Sequence, residues 1–270
     1  MTRYTIRPIN TGFLKTYPKR YLYHNYVVQY FDLPSEPIDI PVFCFLLEGG
    51  PEGPILVDTG MCDTARANEW HHPGSLQPDG YAITDQLHAI GIKEEDIYAI
   101  LFTHLHWDHC FHMEKFPRAR YITSAREYAY AQNPALIQVR GYEHPCQGDI
   151  RPPFTGLTLE TPDIGEAETE ILPGITAFAT PGHTAGHISF NVQAESGTYL
   201  LAGDAVLCLD NIRPIPGSYY TVAPPARFLD MPALERTLKK IQAMRQDEDH
   251  VLACHEVTLV ARAAATPILR

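Results

Sequence analysis

The sequence predicts an α/β protein in which two β-sheets pack face to face and helices cover their outer sides. Three observations carry this. Apolar runs of strand length recur along the 270 residues, bounded by Gly, Pro, Asn and Asp. One of them, "IYAILFT" (97–103), is apolar almost throughout, the pattern of a strand buried on both faces. Between the runs lie helical stretches, clearest in "DMPALERTLKKIQAMRQ" (230–246), where Leu234, Leu238, Ile241 and Met244 form one stripe.

In chain order, "PVFCFLLE" (41–48) and "PILVDTG" (54–60) flank the turn-rich "GGPEG", which predicts a hairpin with a longer loop. A helix is expected over "ITDQLHAIGI" (83–92), stopped by Gly91. The buried strand 97–103 follows, then a short strand "RYIT" (120–123). Ser124 with Glu127 three residues later has the form of a capping box for a helix through "AREYAYAQ". Residues 133–170 are rich in turn formers and lack a period, so they read as an insertion that either covers part of a site or runs over the surface. Strands return at "GITAFAT" (174–180), "HISFNVQ" (187–193), "TYLLAGD" (198–204) and "HVLACHE" (250–256). Asp230 suits the N-cap and Pro232 the first turn of the helix that precedes the last strand. The whole chain, 1–270, is expected to be one domain.

Composition narrows the function. With 45% hydrophobic and 20% charged residues the chain is an ordinary soluble protein. Its 32 acidic and 21 basic side chains give a formal charge of −11, which disfavours nucleic acid or an anionic membrane as partner. The first residues hold no apolar stretch of signal-peptide length, and no segment is long and apolar enough to span a membrane. Six cysteines without a C-x-x-C pair read as reduced thiols, so the cytoplasm is the expected location. A small-molecule substrate is the expected partner, with the chain acting alone or as a homodimer.

The chemistry concentrates at strand ends. Directly after the greasy run stands "THLHWDH" (103–109), with three histidines and an aspartate in seven positions. His183 follows the strand ending in "ATPG", Asp204 ends "TYLLAG", and His255 ends "HVLAC". Sites are built where strand ends and loops meet, so these groups converge if the edges coincide. Residues two apart on an extended segment point the same way, so His104 and His106 can grip one ion, while Asp108 and His109 beyond the turn can face a second. Imidazole and carboxylate donors suit Zn²⁺, although Mn, Fe or Co can use the same set.

This constellation resembles the metallo-β-lactamase superfamily. "THLHWDH" is similar to its H-x-H-x-D-H signature, "TPGHTAGH" to its second histidine motif, "AGD" to its bridging aspartate and "CHE" to its last ligand; the early "VDTG" also matches. The resemblance implies an αββα sandwich of two mixed sheets with a dinuclear centre in the cleft. It implies that His104, His106 and His183 hold one metal, that Asp108, His109 and His255 hold the other, and that Asp204 bridges two Zn²⁺. Asp58 is expected to orient a ligand histidine through a hydrogen bond, and His187 to support the site without ligating. His71, His72 and His112 are expected to pack or face solvent, and Cys110 and Cys254 are not counted as ligands.

Two ions about 3.5–4 Å apart can share a water and depress its pKa, and the resulting hydroxide attacks a carbonyl. Asp108 could then pass a proton to the leaving group as a general acid. Length and ligand set look like the N-acyl homoserine lactone hydrolase branch, which implies a lactonase. That branch often places a tyrosine three positions after the bridging aspartate; here the position is Leu207. Tyr219 or Tyr220 is expected to supply the hydroxyl, and Met61, Trp107 and Leu207 are expected pocket walls. Two rivals remain. A thioester hydrolase of the glyoxalase II type would carry a basic helical tail, but only fifteen residues follow His255. A metal-stabilised ligand-binding protein would turn nothing over.

Overall fold

Strands dominate a computed structural model that describes residues 2–148 and 150–270. Among the described residues the first sheet has six strands side by side in chain order: β1 (Thr5–Thr16), β2 (Ile38–Glu48), β3 (Ile55–Val57), β4 (Ala99–Leu101), β5 (Arg120–Ile122) and β6 (Leu159–Glu160). The pairs β1–β2 and β2–β3 are antiparallel, and β3 to β6 run parallel, so the sheet is mixed. The second sheet consists of β7 (Thr169–Leu172), β8 (Ile175–Ala179), β9 (Ile188–Gln193), β10 (Thr198–Gly203) and β11 (Val251–Ala253), with β10–β11 its parallel pair.

Side-chain alternation explains the layers. Along β2, Phe43, Phe45 and Leu47 turn inward and meet Ala177, Phe190, Val192, Leu201 and Leu252 of the second sheet. Cys44 and Leu46 turn outward, onto Leu87 of helix α3 (Ile83–Ala89), whose N-terminal Ile83 joins the same cluster. On the far side, Phe178, Leu200 and Ala202 pack against Leu234, Leu238 and Ile241 of helix α5 (Met231–Met244). The strands are apolar on both faces because each sheet has a core on both sides. The order is helix, sheet, sheet, helix, as expected. Two short helices, α1 (Pro18–Tyr21) and α2 (Thr64–Arg66), precede α3; α4 (Ala125–Gln132) lies between β5 and β6 of the first sheet and α6 (Thr258–Ala265) near the end.

One strand carries no sequence signal, and one local expectation needs correction. The longest strand, β1, carries Pro8, Asn10 and Gly12, residues depleted in strands, and so gives no clear period. Its register shifts between Asn10 and Phe13, where Asn10 Oδ1 accepts from the N–H groups of Gly12 and Val42. At α4 only half of the capping box forms. Ser124 Oγ accepts from the N–H of Glu127, 3.0 Å away, but the Glu127 carboxylate turns into the protein. There it accepts from Leu105 N at 3.0 Å and from the hydroxyls of Tyr142 and Thr184 at 2.6 Å each. It thereby ties both histidine loops to the 133–170 segment. Asp230 caps α5 as expected, accepting from Ala233 N at 3.0 Å.

Candidate metal centre

The polar strand-end residues meet at one edge of the sandwich, all buried. His104 Nε2 and His183 Nε2 each lie 3.1 Å from His106 Nδ1. Three ring nitrogens turned to one point at that spacing match a tetrahedral ion with bonds of about 2.0–2.1 Å, whose donor–donor edges are about 3.3 Å. Asp108, His109 and His255 form a second group, with His255 Nε2 3.8 Å and His109 Nε2 4.0 Å from the Asp108 carboxylate.

Asp204 stands between the groups and gives one oxygen to each. Its Oδ2 is 3.4 Å from His183 Nε2; its Oδ1 is 3.2 Å from His109 Nε2 and 3.3 Å from His255 Nε2. Among the described residues, Asp204 Oδ1, His109 Nε2 and His255 Nε2 are buried with no hydrogen-bond partner. Buried polar atoms left unpaired cost free energy, and three facing one point fit a cation. Burial, reinforced by the neighbouring imidazoles, holds His104 and His106 well below the usual histidine range, which leaves their lone pairs free. Burial acts the same way on His109, but Asp204 and Asp108 outweigh it and raise its pKa.

The remaining ring nitrogens are fixed by partners. His109 Nδ1 donates to Asp58 Oδ2 at 2.9 Å, His183 Nδ1 to the Arg227 carbonyl at 3.2 Å and His255 Nδ1 to the Pro41 carbonyl at 2.7 Å. Asp58 also accepts from Thr103 N (2.8 Å) and Thr103 Oγ1 (2.9 Å), and that hydroxyl is 3.1 Å from His104 Nδ1. The expected orienting role of Asp58 thus reaches one histidine of each group. Both ring nitrogens of His187 are engaged by the protein: its Nδ1 donates to Thr180 Oγ1 at 2.8 Å, and its Nε2 accepts from the backbone N–H of Asp204 at 3.1 Å. Gly203, at φ +53°, is required beside it, because a Cβ there would stand 2.7 Å from His187 Nε2.

A cleft of about 330 Å³ opens onto His106, Asp108, His183 and Asp204. Trp107 lines it as expected, stacked on His71 with ring centroids 4.4 Å apart and planes 3° apart. Met61 and Leu207 do not; both are fully buried in a cluster with Leu14 and Ile40, under the cleft wall. Tyr219 and Tyr220 are also displaced from it. Tyr219 is 82% exposed, and its hydroxyl donates to that of Tyr220 at 3.1 Å, on a separate surface groove.

Several cleft residues escaped the sequence reading. His71 and His72, expected to pack or face solvent, also line the cleft, as do Tyr21 of α1, Arg140 and Arg227. None lies in a periodic segment, so no local signal marks them. The 133–170 segment contributes Ile137, Gln138, Arg140 and Gly141 to the cleft lining, so it covers part of the site. Gly141 lets the chain pass the site: a Cβ there would lie 2.7 Å from the His106 ring. Tyr21 is buried, with its ring 5.9 Å from that of His255. Its hydroxyl makes no hydrogen bond to a described residue.

Comparison with known proteins agrees with this arrangement. A family model for the metallo-beta-lactamase superfamily matches residues 38–255, from the start of β2 to the last histidine of the cluster. An N-acyl homoserine lactonase from a Bacillus species is 34% identical over 187 residues, 66% of this chain and 69% of that one. The N-acyl homoserine lactonase AttM of Azorhizobium caulinodans is 30% identical over 190 residues, covering 66% and 71%. Among solved structures, an N-acyl homoserine lactone hydrolase with N-hexanoyl-L-homoserine bound at its catalytic metal centre has a TM-score of 0.74 at 23% identity, over 97% of both chains. AidC, a dizinc quorum-quenching lactonase, has a TM-score of 0.66 at 16% identity, over 95% of this chain and 89% of the other. At those identities the structural likeness speaks for the fold.

Proposed function

Because the chain belongs to the metallo-β-lactamase superfamily, we propose that it is a metal-dependent hydrolase that opens lactone rings. One observation carries the reading: the two oxygens of Asp204 face two separate histidine groups, as a carboxylate bridging two ions would. His104, His106 and His183 would hold one ion, and Asp108, His109 and His255 the other. Zinc is the proposed metal, from the predominance of imidazole donors. Divalent ions held there supply a Lewis acid for the ester carbonyl and a source of hydroxide at neutral pH.

The chain's own residues supply the rest. In ring opening, water adds to the carbonyl carbon, the bond to the ring oxygen breaks, and that oxygen takes up a proton to leave a hydroxy acid. Asp108 lies on the cleft floor and delivers that proton. The Tyr21 hydroxyl donates to the carbonyl oxygen, in place of the tyrosine that Leu207 cannot provide. Burial, then the Asp108 and Asp204 carboxylates, push its pKa up, so it stays a donor at neutral pH. Trp107, Leu14 and Phe228 form the apolar wall. The test is a comparison by proton release of γ-lactones, N-acyl homoserine lactones and thioesters such as S-lactoylglutathione. Lactones should have the higher kcat/KM; a thioester turned over as well or better would move the protein to thioester hydrolysis.

A further inference from the structure

The chain carries a formal charge of −11, yet two guanidinium groups flank the cleft, Arg140 and Arg227. Three other arginines, Arg66, Arg120 and Arg213, each pair with a carboxylate at 2.6–2.7 Å. Among the described residues, neither cleft arginine has a carboxylate within 4.0 Å. Arg227 stacks instead, with its guanidinium carbon 4.8 Å from the centroid of the Tyr21 ring. Stacking engages the face of the guanidinium and leaves its N–H donors free in the plane, where a carboxylate is gripped bidentately.

The backbone that carries this arginine is held on both sides. Ala226 N donates to the Tyr21 carbonyl at 3.0 Å, and Leu229 N donates to the Gly182 carbonyl at 2.7 Å. The Arg227 carbonyl itself accepts from His183, which binds the segment to the histidine cluster. Arg140 is pinned as well: its Nε donates to the Trp70 carbonyl at 3.0 Å, and its own carbonyl accepts from His71 Nδ1 at 3.0 Å. The backbone around Arg227 is thus fixed at the cleft, and the Arg140 side chain is fixed by one bond of its own.

We propose that Arg227, seconded by Arg140, forms an anion subsite beside the catalytic centre, and that the preferred substrates are lactones bearing an ionised carboxylate on or near the ring. The proposal rests on the lactonase reading and specifies its substrate class. The carboxylate pairs with the Arg227 guanidinium while the ring carbonyl reaches the metal cluster, and Tyr21, touching both, sets the distance between them.

Two lactones of one ring size decide it: γ-butyrolactone bearing a γ-carboxylate, and the corresponding carboxamide, each given to the metal-loaded, full-length protein. The carboxylate should be favoured in kcat/KM by about 10–100-fold, the range of a charge-assisted pairing. Arg227→Gln should reduce that ratio towards one, chiefly through KM of the carboxylate, and Arg227→Lys should restore part of it. Raising the salt concentration should narrow the wild-type ratio. Equal kcat/KM for the two lactones, or a ratio unchanged in Arg227→Gln, would overturn the subsite and leave the lactonase reading standing. If neither these two nor any neutral lactone is opened, the lactonase reading fails and the subsite falls with it.

Discussion

Asp58 holds His109 from behind: its Oδ2 accepts from His109 Nδ1 at 2.9 Å, while His109 Nε2 on the far side of the ring faces Asp204 at 3.2 Å. Asp58 sits at φ +59°, a left-handed backbone conformation that Asp and Asn tolerate better than most residues. Asp58→Asn therefore removes the charge with little backbone cost. It should weaken metal binding by about 10–100-fold, as loss of such a supporting carboxylate does. The second ion, the one His109 would hold, should be lost first. Unchanged affinity in a competitive chelator titration would show that Asp58 only closes a turn.

Tyr21→Phe should lower kcat by about 10²–10³ and leave the metal content unchanged, the loss measured for one preorganised oxyanion donor. Tyr219→Phe and Tyr220→Phe should stay near wild type, because those rings lie on a separate groove. A Tyr21→Phe enzyme of full rate would mean that the metals act on the carbonyl unaided.

Acid should loosen the cleft wall through Glu143. Burial pushes its carboxyl up, but hydrogen bonds from His71 at 2.6 Å and Arg66 at 2.6 and 2.9 Å outweigh burial and hold it below its ordinary value of 4.5. A carboxyl that ionises more readily folded than unfolded contributes its full stability above its unfolded pKa and loses it as pH falls through the depressed folded value. Glu143→Gln should therefore be about 1–3 kcal/mol less stable than wild type at pH 7, with the gap shrinking below pH of about 4. Denaturant unfolding from pH 7 down to about 3 checks this; a constant gap would contradict it.

How far the sequence could be read follows from what each residue depends on. His104, His183, Asp204 and His255 were legible because each follows an apolar run, and the sheets bring those run ends to one edge. Leu207 and Met61 were placed in the cleft by position in the motif, but their side chains pack into the cluster beneath it. Tyr21 and Arg227 come from aperiodic segments 206 positions apart, joined only by tertiary contacts such as the Ala226 to Tyr21 hydrogen bond. Glu127 read as half of a capping box, a local pattern. Three buried donors from distant loops offered its carboxylate more than one exposed N–H could.

On the proposed function, Asp204 joins two metal sites that together open a lactone. The most direct measurement is the rate of lactone opening by stripped protein as zinc is added back, with bound metal counted per chain. The rate should stay low through the first equivalent and reach its full value at two, and Asp204→Ala should retain neither ion under the same dialysis. Full lactonase activity with no bound metal, or none with two ions bound, would overturn the proposed function.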